Sequence, residues 1–312
     1  MRVISTQEVA GALAWPALIE RLATTFREGV ESPPRHHHAM HRSDGEATML
    51  LMPAWEEAGY IGMKMVNVFP QNANASLPAI SGLYILCEGQ HGTPLACIDG
   101  SALTSRRTAA ASALAARELA RQDAASLLVV GTGKLAPMLI EAHAAVRPIH
   151  TVRIWGRNPD KAEALAEKFR DRFDCQAVTD LETAVPEADI ISCATLSTEP
   201  LIQGEWLKPG SHLDLVGAFR PTMRETDSQC LARSEVFVDT YAGALGEGGD
   251  ILQAMDEGKF NETDLRAELA ELLRGEKPGR TSDEAITLFK SVGASLEDLA
   301  AAIEVWEALN AT

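Results

Sequence analysis

An α/β fold with a doubly wound parallel sheet follows from three observations. Apolar, β-branched runs alternate with helix-forming stretches from about residue 121 to 289, the pattern of a parallel sheet covered on both faces. The first of these runs ends in a glycine-rich turn that opens a helix, at Gly131 to Ala136. The stretch before residue 120 has another texture: short strand-like runs follow one another directly, which predicts an antiparallel or mixed sheet.

In chain order, Pro16 to Gly29 reads as a helix and Glu31 to His38 as a loop. Strands are expected from Thr48 to Met52, Ile61 to Val68 and Leu83 to Cys87, with a turn at Gly92-Thr93-Pro94. The alanine-rich segment Thr108 to Arg121 is a strong helix former. Ser126 to Val130 is the first strand of the next domain, and a helix runs from its glycine turn to Val146. Thr151 to Trp155 repeats the strand signal before a charged helix from Pro159 to Phe173. Ala188 to Ala194, His212 to Val216 and Glu235 to Asp239 continue the series. Ser282 to Asn310 reads as a strand returning into a helix, with Leu296, Leu299, Ala300, Ile303 and Trp306 at helical spacing.

Composition narrows the partners. The chain has 312 residues, enough for two domains, and its 46% hydrophobic and 23% charged content is that of a globular protein. A net charge of −16 repels nucleic acid and anionic membranes, so neither is an expected partner. Met1 to Glu8 lacks the pattern of a signal peptide, and no apolar run is long enough to span a bilayer. Cys87, Cys97, Cys175, Cys193 and Cys230 are scattered and odd in number, which predicts reduced thiols in a soluble, cytoplasmic protein.

The turn Gly131-Thr132-Gly133-Lys134-Leu135-Ala136 follows an apolar strand and opens a helix within a βαβ unit, the context of a Rossmann phosphate loop. The first glycine permits the tight turn and the second lets backbone amides approach a pyrophosphate. Ala136 is small enough for helix and strand to pack closely. The second strand ends in Gly156-Arg157-Asn158, where an NAD site usually carries an acid for the ribose hydroxyls. Arg157 suits a 2′-phosphate instead, so NADP(H) is the favoured cofactor, with NAD(H) as the alternative. Ala194 and Thr195, at the end of a later strand, are expected to touch the dinucleotide.

Several segments together resemble the ornithine cyclodeaminase and mu-crystallin family. They include Pro34 to His38, Leu51 to Ala54, Gly62-Met-Lys64, Leu103 to Ser112, Val130 to Gly133, Asp214 to Pro221 with Arg224-Glu225, Gly249-Asp250 and Phe289 to Gly293. The resemblance implies a substrate and dimerisation domain (1–120 plus 290–312) with the NAD(P)-binding Rossmann domain (121–289) inserted in it. It also implies a homodimer with its site in the interdomain cleft. Arg35, Lys64 and Arg107 would act on the substrate in that pattern, three cations suited to an amino-acid carboxylate. Met52 and Phe219 would join Arg35, Lys64 and Arg107 in lining the pocket. Thr104, Thr108, Val216, Gly217 and Ser291 would add cofactor contacts.

Departures from the pattern narrow the chemistry. Ornithine cyclodeaminases, and the alanine dehydrogenases of the family, carry an acid where this chain has Phe219. A second cyclodeaminase acid, two residues before Met52-Pro53, is Leu50 here. A cyclodeaminase must move protons during ammonia loss, whereas reduction of a preformed cyclic imine needs positioning and a hydride. The expected reaction is therefore NAD(P)H-dependent reduction of Δ1-pyrroline-2-carboxylate, or its Δ1-piperideine homologue, to L-proline or L-pipecolate. Ornithine cyclodeaminase, alanine dehydrogenase and a mu-crystallin-like binding protein are the alternatives. His36-His37-His38 is not expected to hold a metal, because neighbours on an extended segment point to opposite sides. Asp214, structural or substrate-facing, is left unassigned, and Glu247 and Asp250 are read as residues of a glycine-rich loop that either orients the nicotinamide side or is solvated.

Overall fold

The computed structural model describes residues 1–43, 45–75 and 77–311 and divides into two compact units, Met1–Arg107 with Ala294–Thr312, and Thr108–Gly293. The divisions fall inside a helix at Arg107/Thr108 and after a strand at Gly293/Ala294, against the 120 and 290 expected from the sequence.

The first unit is built on a six-stranded sheet in the order β1-β6-β5-β4-β3-β2. Its strands are β1 (Arg2–Ile4), β2 (His36–Arg42), β3 (Gly45–Trp55), β4 (Tyr60–Val68), β5 (Ile80–Glu88) and β6 (Pro94–Asp99). Only the β1–β6 pair is parallel, so the sheet is mixed, as its succession of short strands predicts. Side chains alternate across a strand, and residues opposite each other share a face. Met52, Lys64, Tyr84 and Ile98 thereby form one buried row across β3, β4, β5 and β6. Helices α1 (Thr6–Ala12), α2 (Trp15–Glu28) and α11 (Ser295–Asn310) belong to this unit, and α11 packs on β3, β4 and β5 and against α2. The opposite face carries Pro53, Met63, Ile85, Cys97 and Val3 in register and remains partly exposed, Val3 at 74%.

One expectation fails here. His36, His37 and His38 open β2 instead of lying in a loop, held extended by pairing of His36 with Leu51. An edge strand facing solvent needs no apolar alternation, so the sequence carries no strand signal. The three imidazoles alternate between faces and are exposed.

Helix α3 (Gly100–Leu119) starts earlier than its alanine run suggests, with Asp99 Oδ1 accepting from the backbone of Ala102 at 2.8 Å. The second unit then forms an all-parallel eight-stranded sheet in the order β13-β12-β14-β11-β10-β7-β8-β9. Its strands are β7 (Ser126–Val130), β8 (Thr151–Trp155), β9 (Asp174–Val178), β10 (Ile190–Cys193), β11 (His212–Leu215), β12 (Glu235–Val238), β13 (Leu265–Glu268) and β14 (Thr287–Lys290). Alternate residues of β7 enter different cores: Leu127 and Val129 join Ile140, Val152 and Ile154, while Leu128 and Val130 join Ile191, Leu213 and Leu215. Burial on both faces is why β7 and β8 read as continuous apolar runs.

Around the sheet lie α4 (Ala136–Val146), α5 (Pro159–Glu167), α6 (Leu181–Ala184), α7 (Ser228–Ala232), α8 (Tyr241–Glu247), α9 (Gly249–Asp256) and α10 (Leu269–Leu273). Strand order reverses between β7 and β10, the position at whose carboxyl edge a doubly wound sheet binds its ligand. Two further expectations are corrected. α5 ends at Glu167 and not at Phe173. The expected strand before α11 is present as β14, which inserts between β11 and β12 of the parallel sheet. Glu247 ends α8 and Asp250 lies fully buried in the first turn of α9, so neither is in a loop. No helix among the described residues is long and apolar enough to cross a membrane.

Candidate active site

The first unit buries an ion cluster at its sheet face. Lys64 of β4 donates to both carboxylate oxygens of Asp298, at 3.0 and 2.9 Å. Arg107 of α3 donates through Nε to Oδ1 of the same Asp298 at 3.0 Å, and through Nη1 to Glu297 at 2.6 Å. Glu297 and Asp298 stand in the first turn of α11, where the helix dipole favours negative charge. All four side chains are nearly or fully buried, and the two carboxylates neutralise the two cations. Arg35, half-buried before β2, adds a third positive charge that is felt at Lys64.

Burial pushes the Lys64 ammonium down to about 8; the charge of Asp298 opposes that shift, and Arg107 and Arg35 reinforce it. Burial alone raises a carboxylate, yet Arg107 and then Lys64 hold Asp298 below its usual range. Among the described residues, Lys64 makes no third hydrogen bond and Nη2 of Arg107 makes none. The cluster therefore holds its cations rigid while leaving donors for a ligand carboxylate. Met52 lies beside Lys64 in the sheet, and Tyr84 on its other side. The Tyr84 ring lies across Gly62, where a Cβ would stand 1.8 Å from its hydroxyl.

The second unit carries the phosphate loop. Gly131 has φ +123°, donates to Trp155 O at 2.8 Å, and approaches β10 so closely that a Cβ would meet Ala194 O at 2.6 Å. A Cβ on Gly133, by contrast, would meet nothing within 4 Å, so the loop is open there. α4 begins without a side-chain cap on its amides, and Ala136 is fully buried with Val129 and Ile154. This geometry fits a dinucleotide: exposed amides and the helix dipole meet the phosphates, and the small residue keeps helix and strand close. Thr132 and Leu135 are half-buried and Lys134 is exposed.

Other sequence-assigned residues are distributed as follows. Arg157 is exposed after β8, while Asn158 caps α5, accepting from Lys161 N at 3.2 Å. Ala194 and Thr195 follow β10, and Val216 and Gly217 follow β11; a Cβ on Gly217 would stand 2.1 Å from Thr195 O. Thr104 donates to Gly100 O at 2.7 Å, and Thr108 is buried on α3. Ser291 is buried and donates to Asp239 at 3.2 Å. Phe219 is half-buried with the Arg220 guanidinium 5.7 Å from its ring centre.

Sequence reasoning missed Glu297 and Asp298. A signal was available: Asp298 shares a stripe of α11 with the buried Ala302 and Val305, at i+4 and i+7, where an acid requires a partner. Asp214 is fully buried, accepting from Ser192 at 2.6 Å with His143 Nε2 at 3.3 Å, and so serves the interior of the second unit. Among the described residues no group of three or more potential ligand side chains is placed to hold a metal.

The chain is 37% identical to the Δ1-pyrroline-2-carboxylate reductase of Colwellia psychrerythraea, over 99% of each chain. Among solved structures, Thermococcus litoralis Δ1-pyrroline-2-carboxylate reductase in complex with NADH and L-proline superposes with a TM-score of 0.92 at 31% identity, covering 99% of this chain and 97% of that one. An archaeal alanine dehydrogenase dimer with bound NAD follows at 0.88 and 29% identity, covering 99% and 95%. A family model matches residues 2–312, and the chain belongs to the ornithine cyclodeaminase/mu-crystallin family.

Proposed function

We propose that this protein is an NAD(P)H-dependent imino acid reductase that converts Δ1-pyrroline-2-carboxylate, and its six-membered Δ1-piperideine homologue, to L-proline and L-pipecolate. The observation that carries the reading is the Lys64–Asp298–Arg107 arrangement, which immobilises two cations and leaves donors on each. Arg35 adds a positive charge that is felt at Lys64, and cations gathered in this way suit a substrate carboxylate. Relatives that share the fold act on this substrate class by name, including the reductases of Colwellia psychrerythraea and Thermococcus litoralis.

Reduction adds a hydride to the imine carbon and a proton to the ring nitrogen. A reduced nicotinamide held by the glycine turn of the second unit would supply the hydride. Lys64 supplies the proton: with its ammonium brought down to about 8, it is charged at neutral pH yet gives up its proton far more readily than an ordinary lysine. Arg107 stays charged and holds the carboxylate, and Asp298 keeps both cations in place. Phe219 and Leu50 replace acids that a cyclodeaminase would use on ornithine, and an apolar ring suits them better than a second ammonium group.

Gly131 to Ala136 and the Ala194–Thr195 and Val216–Gly217 segments hold the dinucleotide, with Thr104, Thr108, Asn158 and Ser291 as further contacts. Arg157, in place of an acid after β8, favours NADP(H), with NAD(H) also accepted. The partly exposed apolar face of the first sheet, with Val3, Ile61 and Trp55, is the homodimer surface, in keeping with the alanine dehydrogenase dimer. Five unpaired cysteines and a reduced cofactor fit the cytoplasm. Oxidation of NAD(P)H on addition of Δ1-pyrroline-2-carboxylate tests the reaction; ammonia release from ornithine would replace it with cyclodeamination.

A further inference from the structure

Glu225 has no place in the chemistry above, yet it is fully buried at the carboxyl edge of the parallel sheet. Its Oε1 accepts from the backbone N–H of Thr195 at 2.6 Å and from the Thr195 hydroxyl at 2.8 Å. Its Oε2 accepts from the N–H groups of Gly217 at 2.8 Å and Ala218 at 3.2 Å. One carboxylate thus ties the segment after β10 to the segment after β11. The two segments touch, for a Cβ on Gly217 would meet Thr195 N at 2.3 Å and Glu225 Oε1 at 2.4 Å.

Glu225 is itself anchored. Its own N–H donates to Asp250 Oδ1 at 2.7 Å, and Thr226 N donates to the same oxygen at 3.0 Å. Asp250 Oδ2 lies 3.1 Å from Nζ of Lys290 at the end of β14, a buried ion pair without hydrogen-bond alignment. Three strand ends are therefore joined through Glu225, Asp250 and Lys290. Three backbone N–H groups, which can only donate, and the Thr195 hydroxyl face the Glu225 carboxylate, so the bonding in this geometry favours the anion. Burial opposes that choice and raises its pKa.

We propose that Glu225 is a positioning residue for the cofactor: it fixes Thr195 and Gly217–Ala218 against each other and so presets the surface that receives the dinucleotide. The proposal rests on the reductase reading, since it assigns these two segments to nicotinamide binding. A buried anion with four donors is a costly way to join two loops whose amides solvent could satisfy. The cost is explained if the loops must hold one geometry before the ligand arrives.

Glu225→Gln tests this, because an amide keeps one acceptor oxygen but turns its NH2 toward two donors, freeing one segment. The expected result is a KM and dissociation constant for NADH raised about tenfold or more, with the KM for Δ1-pyrroline-2-carboxylate within about twofold. A purely structural Glu225 would lower the melting temperature and the active fraction but leave the NADH constant of the folded protein unchanged, which overturns the proposal. Should the variant not fold, amide hydrogen exchange on the wild type decides. Thr195, Gly217 and Ala218 must be protected already in the ligand-free protein, and protection that arises only with NADH overturns the preset surface. Wild-type protein that binds no nicotinamide cofactor would instead sink the reductase reading, a separate outcome from an unaffected Glu225→Gln.

Discussion

Asp298 grips Lys64 through both carboxylate oxygens, at 3.0 and 2.9 Å, and accepts Arg107 on one of them. A C-terminal helix thus sets the protonation and the position of a lysine that enters the fold 234 residues earlier. Burial pulls the Lys64 pKa down to about 8, and the charge of Asp298 opposes that fall.

Asp298→Asn therefore moves the alkaline limb of the kcat/KM profile to lower pH. If Lys64 is the donor, as proposed, the wild type loses it as pH rises through about 8. Without the opposing charge the Lys64 pKa falls, so activity near pH 7.5 drops roughly tenfold while activity at lower pH is better retained. The same change strips a carboxylate from two buried cations and lowers stability by about 3 kcal/mol, read by urea unfolding.

Gly133→Asp separates cofactor binding from folding. A side chain there projects into open space, so the melting temperature stays within about 2 °C of the wild type. If the loop receives the pyrophosphate as proposed, the added carboxylate repels it and the KM for the reduced cofactor rises about 100-fold.

Arg157→Ala tests the choice between cofactors. Losing the guanidinium raises the KM for NADPH about tenfold and leaves that for NADH unchanged within error. Equal effects on both cofactors would remove the 2′-phosphate assignment.

His212→Gln reads the interior of the parallel sheet. His212 is fully buried beside Thr287, at 2.9 Å, and burial lowers its pKa to about 3. Its folded pKa lies below the unfolded value of 6.5, so the unfolded chain takes up the proton first as pH falls. The stability tied to neutral His212 is present above about pH 6.5 and is lost toward pH 3. Between pH 7.5 and 5 the wild type should lose about 2 kcal/mol relative to His212→Gln, measured by urea denaturation at each pH.

Legibility followed burial and sequence distance. β7 and β8 were readable to the residue because both faces are covered and the runs are continuously apolar. β2 was not, since an exposed edge strand of histidines carries no period-two pattern. β14 was legible as a strand before the last helix and mostly inside the 121–289 range, but nothing local reveals that it inserts between β11 and β12. At the site, Lys64 and Arg107 were reached through family resemblance. Their carboxylate partners were not, because pairings 190 and more residues apart leave no local trace beyond an acid on an apolar helical stripe. Glu225 was visible only as part of a quoted motif, and its role emerges from the loops it ties together.

Absorbance of the reduced nicotinamide band, followed after adding Δ1-pyrroline-2-carboxylate to wild type and to Lys64→Ala in parallel, tests the central claim most directly. Rapid oxidation by the wild type, with kcat/KM reduced about 100-fold or more in the variant, is the predicted result. No oxidation by the wild type with either cofactor, or undiminished oxidation by Lys64→Ala, would contradict it.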